Sequence, residues 1–107
     1  MTKLISCFTF ALTLAAAISN ANAQAVGDPK ESLAVAQKVC AECHAIVAGQ
    51  DRSPKAEAPT FVNLAATPGM TRTALLVALT TPHAGMPMFI LTGKQRDGII
   101  AYILSLH

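Results

Sequence analysis

The chain has 107 residues, 52% of them hydrophobic and 13% charged, with a mean hydropathy of +0.45. That is apolar for a soluble domain, and its formal charge of only +2 excludes a strongly basic nucleic-acid binder. Much of the apolar excess lies at the front: residues 1–3 carry a positive charge, 4–18 carry none, and Ala21-Asn22-Ala23 has the small-x-small form of a cleavage site.

Residues 1–23 are therefore expected to be a secretory signal peptide. The alternatives are a buried N-terminal helix and a membrane anchor, but a 15-residue run is short for a bilayer. Ala23-Gln24-Ala25 offers a second cleavage site two residues on. Removing 23 residues leaves 84, at 24–107, with seven basic against six acidic residues. That is one domain, too short for a TIM barrel or a two-domain enzyme, and a core of this size usually needs a disulfide, metal or cofactor to hold it. No later stretch is long and apolar enough to span a membrane.

Along the expected mature chain, residues 24–27 are a short lead-in. Asp28, Pro29 and Glu31 then form a helix start, with an Asp cap, Pro at the first helical position and an acid in the first turn. Leu33, Ala36 and Cys40 follow at helical spacing, flanked by Val35 and Val39, so a helix should carry the chain into Cys40-Ala41-Glu42-Cys43-His44. Residues 45–59, with Gly49, Ser53, Pro54 and Pro59, have loop composition. A short helical turn fits 59–66, and Thr67-Pro68-Gly69 is a turn. Thr71 can cap a helix through Leu75, Leu76 and Leu79 that stops before Pro82. Residues 83–91 form a second loop. The clearest helix is the last, where Thr92 with Gln95 makes a capping box and Ile99, Tyr102, Ile103 and Leu106 share an apolar face.

Cys7 falls inside the expected signal, leaving Cys40 and Cys43, with His44 directly after. Two thiols about one helical turn apart can add to two vinyl groups of a haem, and the next residue then offers its imidazole to the iron. A thioredoxin-type pair needs a β-branched run leading into the motif, and none precedes Cys40. A zinc site needs further ligands, commonly a second paired set, which the chain lacks. Covalent haem c is the expected cofactor.

With these residues the chain resembles the small monohaem class I c-type cytochromes of the bacterial periplasm. The resemblance covers roughly 30–107 and rests on CAECH at 40–44, GMPMFILTGKQRDGIIAYILSL at 85–106 and, more weakly, APTF at 58–61. It implies an all-α fold of three main helices with long loops around one covalent haem, the first and last helices crossing. Small residues are needed at that crossing; Ala36 supplies one, and Ser32 stands where Gly is common.

His44 would supply one axial ligand. The other needs a soft or imidazole donor, and Met70, Met86, Met88, His83 and His107 are the candidates. The resemblance favours Met86, since the family's distal Met commonly precedes a Pro shortly before the last helix, and Pro87 restricts Met86 to an extended form. Met88 would point the same way in an extended segment. Met70 and Met88 otherwise read as gap-filling core residues, and His83 and His107 as solvated side chains. The resemblance also implies that the Pro59 carbonyl orients the His44 ring. Tyr102 is expected to pack between helices, and Phe61 and Phe89 to wall the haem.

Two functional classes follow. An electron carrier has both axial positions filled; a haem enzyme or small-ligand sensor for peroxide, NO or CO has an open or displaceable one. Met86-Pro87 favours the carrier, placed in the periplasm by the signal. Its partners would be redox proteins acting as donor and acceptor, such as a periplasmic dehydrogenase or a terminal oxidase. The near-neutral charge gives no dominant steering field.

Overall fold

The computed structural model describes residues 28–107; the expected signal at 1–23 and the lead-in at 24–27 lie outside the described residues. Four helices follow in order, α1 (Pro29–Val39), α2 (Phe61–Ala66), α3 (Arg72–Thr80) and α4 (Gly93–Leu104). No strand forms among the described residues. The three main helices and the short turn stand where the sequence puts them, and the all-α class is observed.

Each helix starts on a side-chain cap that satisfies an amide the helix leaves free. Asp28 accepts from the Lys30 amide at 2.9 Å, Thr71 from that of Ala74 at 3.1 Å, and Thr92 from that of Gln95 at 3.2 Å while Gln95 answers the Thr92 amide at 3.0 Å. Thr60 does the same for α2 through the Asn63 amide at 3.0 Å. Gly69, at φ +77°, supplies the left-handed residue that the turn between α2 and α3 requires.

α1 and α3 both pack on α4, and α2 touches it as well. Ser32 and Ala36 are the buried residues of α1, and Gly98, Ile99, Ile100 and Ile103 those of α4. Small side chains on α1 let the two backbones approach closely, as the crossing requires. Glu31 and Lys94 join these helices at 2.8 Å, and Arg72 and Asp97 join α3 to α4 at 2.7 Å. Ile100 is fully buried although it lies beside the apolar face expected from Ile99, Tyr102, Ile103 and Leu106. The reason is that α4 is packed by three other helices, so its buried arc is wider than one stripe. No helix among the described residues is long and apolar enough to cross a membrane.

Candidate functional site: a cavity between two loops

α1 ends at Val39, and the motif begins on its cap. The Cys40 carbonyl accepts from the amides of Cys43 at 3.1 Å and His44 at 2.9 Å, folding 40–44 into one tight turn. That turn brings Cys40, Cys43 and His44 to the wall of a single cavity of about 550 Å³. This is within the range of about 300–1,000 Å³ usual for ligand and cofactor sites. Its apolar walls include Leu75, Ile99 and Ile103 with Phe61 and Phe89, both aromatic residues standing where the sequence expected walls.

The loop at 45–59 is irregular yet tied down. The Lys55 amide donates to the Cys43 carbonyl at 3.1 Å and the Phe61 amide to that of Ala45 at 2.9 Å. Ser53 Oγ and Gln50 Oε1 accept from the amides of Ala45 and Ile46 at 3.0 and 3.1 Å. Folded back in this way, the loop delivers the Pro59 carbonyl to His44, whose Nδ1 donates to it at 2.6 Å. A carbonyl only accepts, so Nδ1 carries a proton, and in the neutral ring the lone pair is then on Nε2. The ring lies 5.6 Å from that of Phe61, tilted by 48°. An imidazole held on one nitrogen and free on the other is the form in which histidine ligates a metal.

Tyr102 also serves this loop. Its hydroxyl donates to the Ile46 carbonyl at 2.8 Å, and its ring meets Phe61 edge-on at 6.3 Å. It therefore packs between α4 and α2 as expected, and its hydroxyl also joins α4 to the loop. Partial burial raises its pKa.

The opposite wall is the second loop. His83 and Met86 face each other across Ala84 and Gly85, with the Met86 amide donating to the His83 carbonyl at 3.4 Å. Gly85 has φ +79° and among the described residues no non-glycine has positive φ, which is the pattern of a type II turn. Of the five distal candidates, Met70, Met86 and His83 line the cavity, whereas Met88 and His107 do not. Met88 is 51% exposed, which overturns its reading as a core filler: in the extended segment after Pro87 it falls on the solvent side. His83 is exposed as expected, but it also borders the cavity and meets the Met86 sulfur, with Nε2 3.1 Å from Sδ.

Cys40 and Cys43 form no disulfide among the described residues. Burial first, and the neighbouring Cys43 second, push the Cys40 thiol up to about 11. That is opposite to the depressed value of a redox dithiol. Among the described residues no three His, Cys, Asp or Glu side chains gather to hold a metal ion, so a zinc site lacks its partners. An apolar cavity of this size, with a paired thiol turn and an anchored imidazole on its wall, fits a haem.

These features define a small helical haem protein of the c type. The chain is 36% identical over 96 residues to the cytochrome c-552 of Bradyrhizobium diazoefficiens, an alignment covering 90% of each chain. No family model matches the chain, and no solved structure does. The chain belongs to the small c-type cytochromes, electron carriers with covalently bound haem c.

Two residues that hold the site escaped the sequence reading. Ser53 and Gln50 belong to a loop without periodicity, where no spacing rule assigns a partner. Thr60 was readable in principle, since Thr three residues before a polar residue is a cap signal.

Proposed function

We propose that residues 24–107, after removal of a signal at 1–23, form a periplasmic electron carrier. Its haem is attached through Cys40 and Cys43, with His44 and Met86 as axial ligands. The observation that carries this reading is the meeting of two donors in one cavity: an imidazole whose Nδ1 is tied to Pro59, and a thioether on the facing loop.

When bound, haem c supplies a one-electron couple at its iron. The protein's part is to fix and insulate that couple. Pro59 holds the His44 ring against rotation and selects the tautomer whose lone pair is on Nε2. The turn at Ala84 and Gly85 presents Met86, and Pro87 limits its backbone. Leu75, Ile99, Ile103 and Phe61 exclude water, and with a thioether ligand this favours the ferrous state and a raised potential.

Two protein ligands leave no position for substrate, which favours the carrier over an enzyme or sensor for peroxide, NO or CO. The partners of such a carrier are redox proteins, a periplasmic dehydrogenase and a terminal oxidase being the classes that fit. The test is a reversible redox titration of the purified protein with carbon monoxide added to the reduced form. A single one-electron wave and an unchanged ferrous spectrum are expected; rapid formation of a carbon monoxide complex would shift the reading to the enzyme or sensor.

A further inference from the structure

The second loop holds two possible iron donors within one contact. His83 Nε2 lies 3.1 Å from Met86 Sδ, and both residues line the cavity. His83 Nδ1 lies 3.2 Å from the Thr81 carbonyl, which accepts from it in the Nδ1–H tautomer. A thioether sulfur only accepts, so the contact with Met86 is Nε2–H donating to Sδ; once the sulfur is gone the proton moves through solvent to Nδ1, held by Thr81, and the Nε2 lone pair is bared at the cavity wall. His44 already has that arrangement on the other wall, with Nδ1 on the Pro59 carbonyl. A ring nitrogen tied to a backbone carbonyl while the other stays bare is the usual arrangement of a metal-ligating histidine.

The local backbone brings the pair together. Two residues separate His83 from Met86, and the glycine at φ +79° closes the turn so that their side chains meet. Nothing else in the contact has a use for the histidine: it forms no ion pair among the described residues, and it is exposed rather than buried for packing.

We propose that His83 is a reserve axial ligand, which takes the position of Met86 whenever the sulfur is lost. Because the two donor atoms are in contact, the exchange needs a shift of the turn and no refolding of the helices. The consequence is a carrier that stays closed when its thioether fails. Its potential falls, because imidazole favours the ferric state more than a thioether does, but no open iron is exposed to peroxide. The inference rests on Met86 being the native ligand.

The test compares the wild-type holoprotein with Met86→Leu and with Met86→Leu combined with His83→Ala, since Leu keeps the volume of Met and the fold with it. Spectra are taken in mildly alkaline buffer, where imidazole is neutral. Wild-type ferric protein should show the weak sulfur-to-iron band; if it does not, the Met86 assignment itself is wrong. Met86→Leu should lose the band, stay low-spin with a bis-imidazole spectrum, and have a lower potential. The double variant should become high-spin. Cyanide should bind the single variant with lower apparent affinity than the double, by the fraction of open sites, on the order of tenfold or more. Two results overturn the proposal: a high-spin Met86→Leu protein indistinguishable from the double variant, or a double variant that remains low-spin because another residue, such as Met70, has filled the site.

Discussion

The two walls of the cavity are built on different principles. On one side α1, the Cys40–His44 turn and the 45–59 loop are fixed by caps, backbone hydrogen bonds and the buried face of α4. On the other, the 83–91 loop and all of α3 after Arg72 lie in a stretch, residues 73–93, without a single Asp, Glu, Lys or Arg. That stretch exposes Leu76, Val77, Met88 and Ile90, and only Leu75 within it is buried. The loop of the first wall is tied along its length by hydrogen bonds, whereas the 83–91 loop has the Met86 amide on the His83 carbonyl and little else. Attachment thus falls on the wall tied by hydrogen bonds, and the proposed ligand exchange on the other.

The largest break in this comparison is removal of the attachment itself. Cys40→Ala with Cys43→Ala should leave a chain that loses cooperative melting or is degraded, because a domain this small has little core beyond the cavity lining. Native helix content and a sharp transition by circular dichroism would show that the cavity does not need its cofactor.

Next in size is a cut into the shared core. Ile99→Ala, at a fully buried position of α4, should cost about 2–5 kcal/mol in denaturant unfolding of the holoprotein. Val77→Ala, 55% exposed on the second wall, should cost within about 0.5 kcal/mol. Equal losses would mean that the second wall is as well packed as the first.

Smaller again is the α4 cap. Thr92→Ala removes the hydroxyl half of the capping box and leaves the backbone amide of residue 92 donating to Gln95, and it should cost about 1 kcal/mol. Tyr102→Phe removes the hydroxyl bond to Ile46 and should cost about 0.5–1.5 kcal/mol at neutral pH. It also has a pH signature. Burial raises the pKa of Tyr102 in the folded state, so the unfolded chain releases its proton first as pH rises. The stability that this group contributes is full below the unfolded value of about 10 and is lost as pH climbs through the folded one. Alkaline unfolding curves of Tyr102→Phe should therefore decline less steeply than those of the wild type. The smallest effect belongs to Met88→Leu, on the exposed side of the second loop, where melting temperature and potential should both stay nearly unchanged.

What was legible in the sequence were features whose partners lie within one turn of helix. Asp28, Thr71 and the Thr92–Gln95 box cap their helices because each needs only an amide two or three residues on. The Cys40–His44 spacing is legible for the same reason. Contacts that cross the chain were not. Tyr102 meets Ile46 from 56 residues away, and no periodicity records that. His83 and Met86 are three apart, but their meeting depends on Gly85 adopting positive φ, which composition permits without requiring. Alternation in an extended segment made Met88 equivalent to Met86; the structure separates them because the loop has only one inner side.

The most direct test of the central claim, that a methionine of the second wall faces His44 across the haem, is the proton spectrum of the reduced holoprotein with methyl-labelled methionine. A methionine methyl held over the haem face is shifted far upfield by the ring current. One such signal is predicted, absent from Met86→Leu and retained in Met70→Leu and Met88→Leu. An upfield signal that disappears in Met70→Leu or Met88→Leu instead, or no such signal in the wild type, would contradict the account.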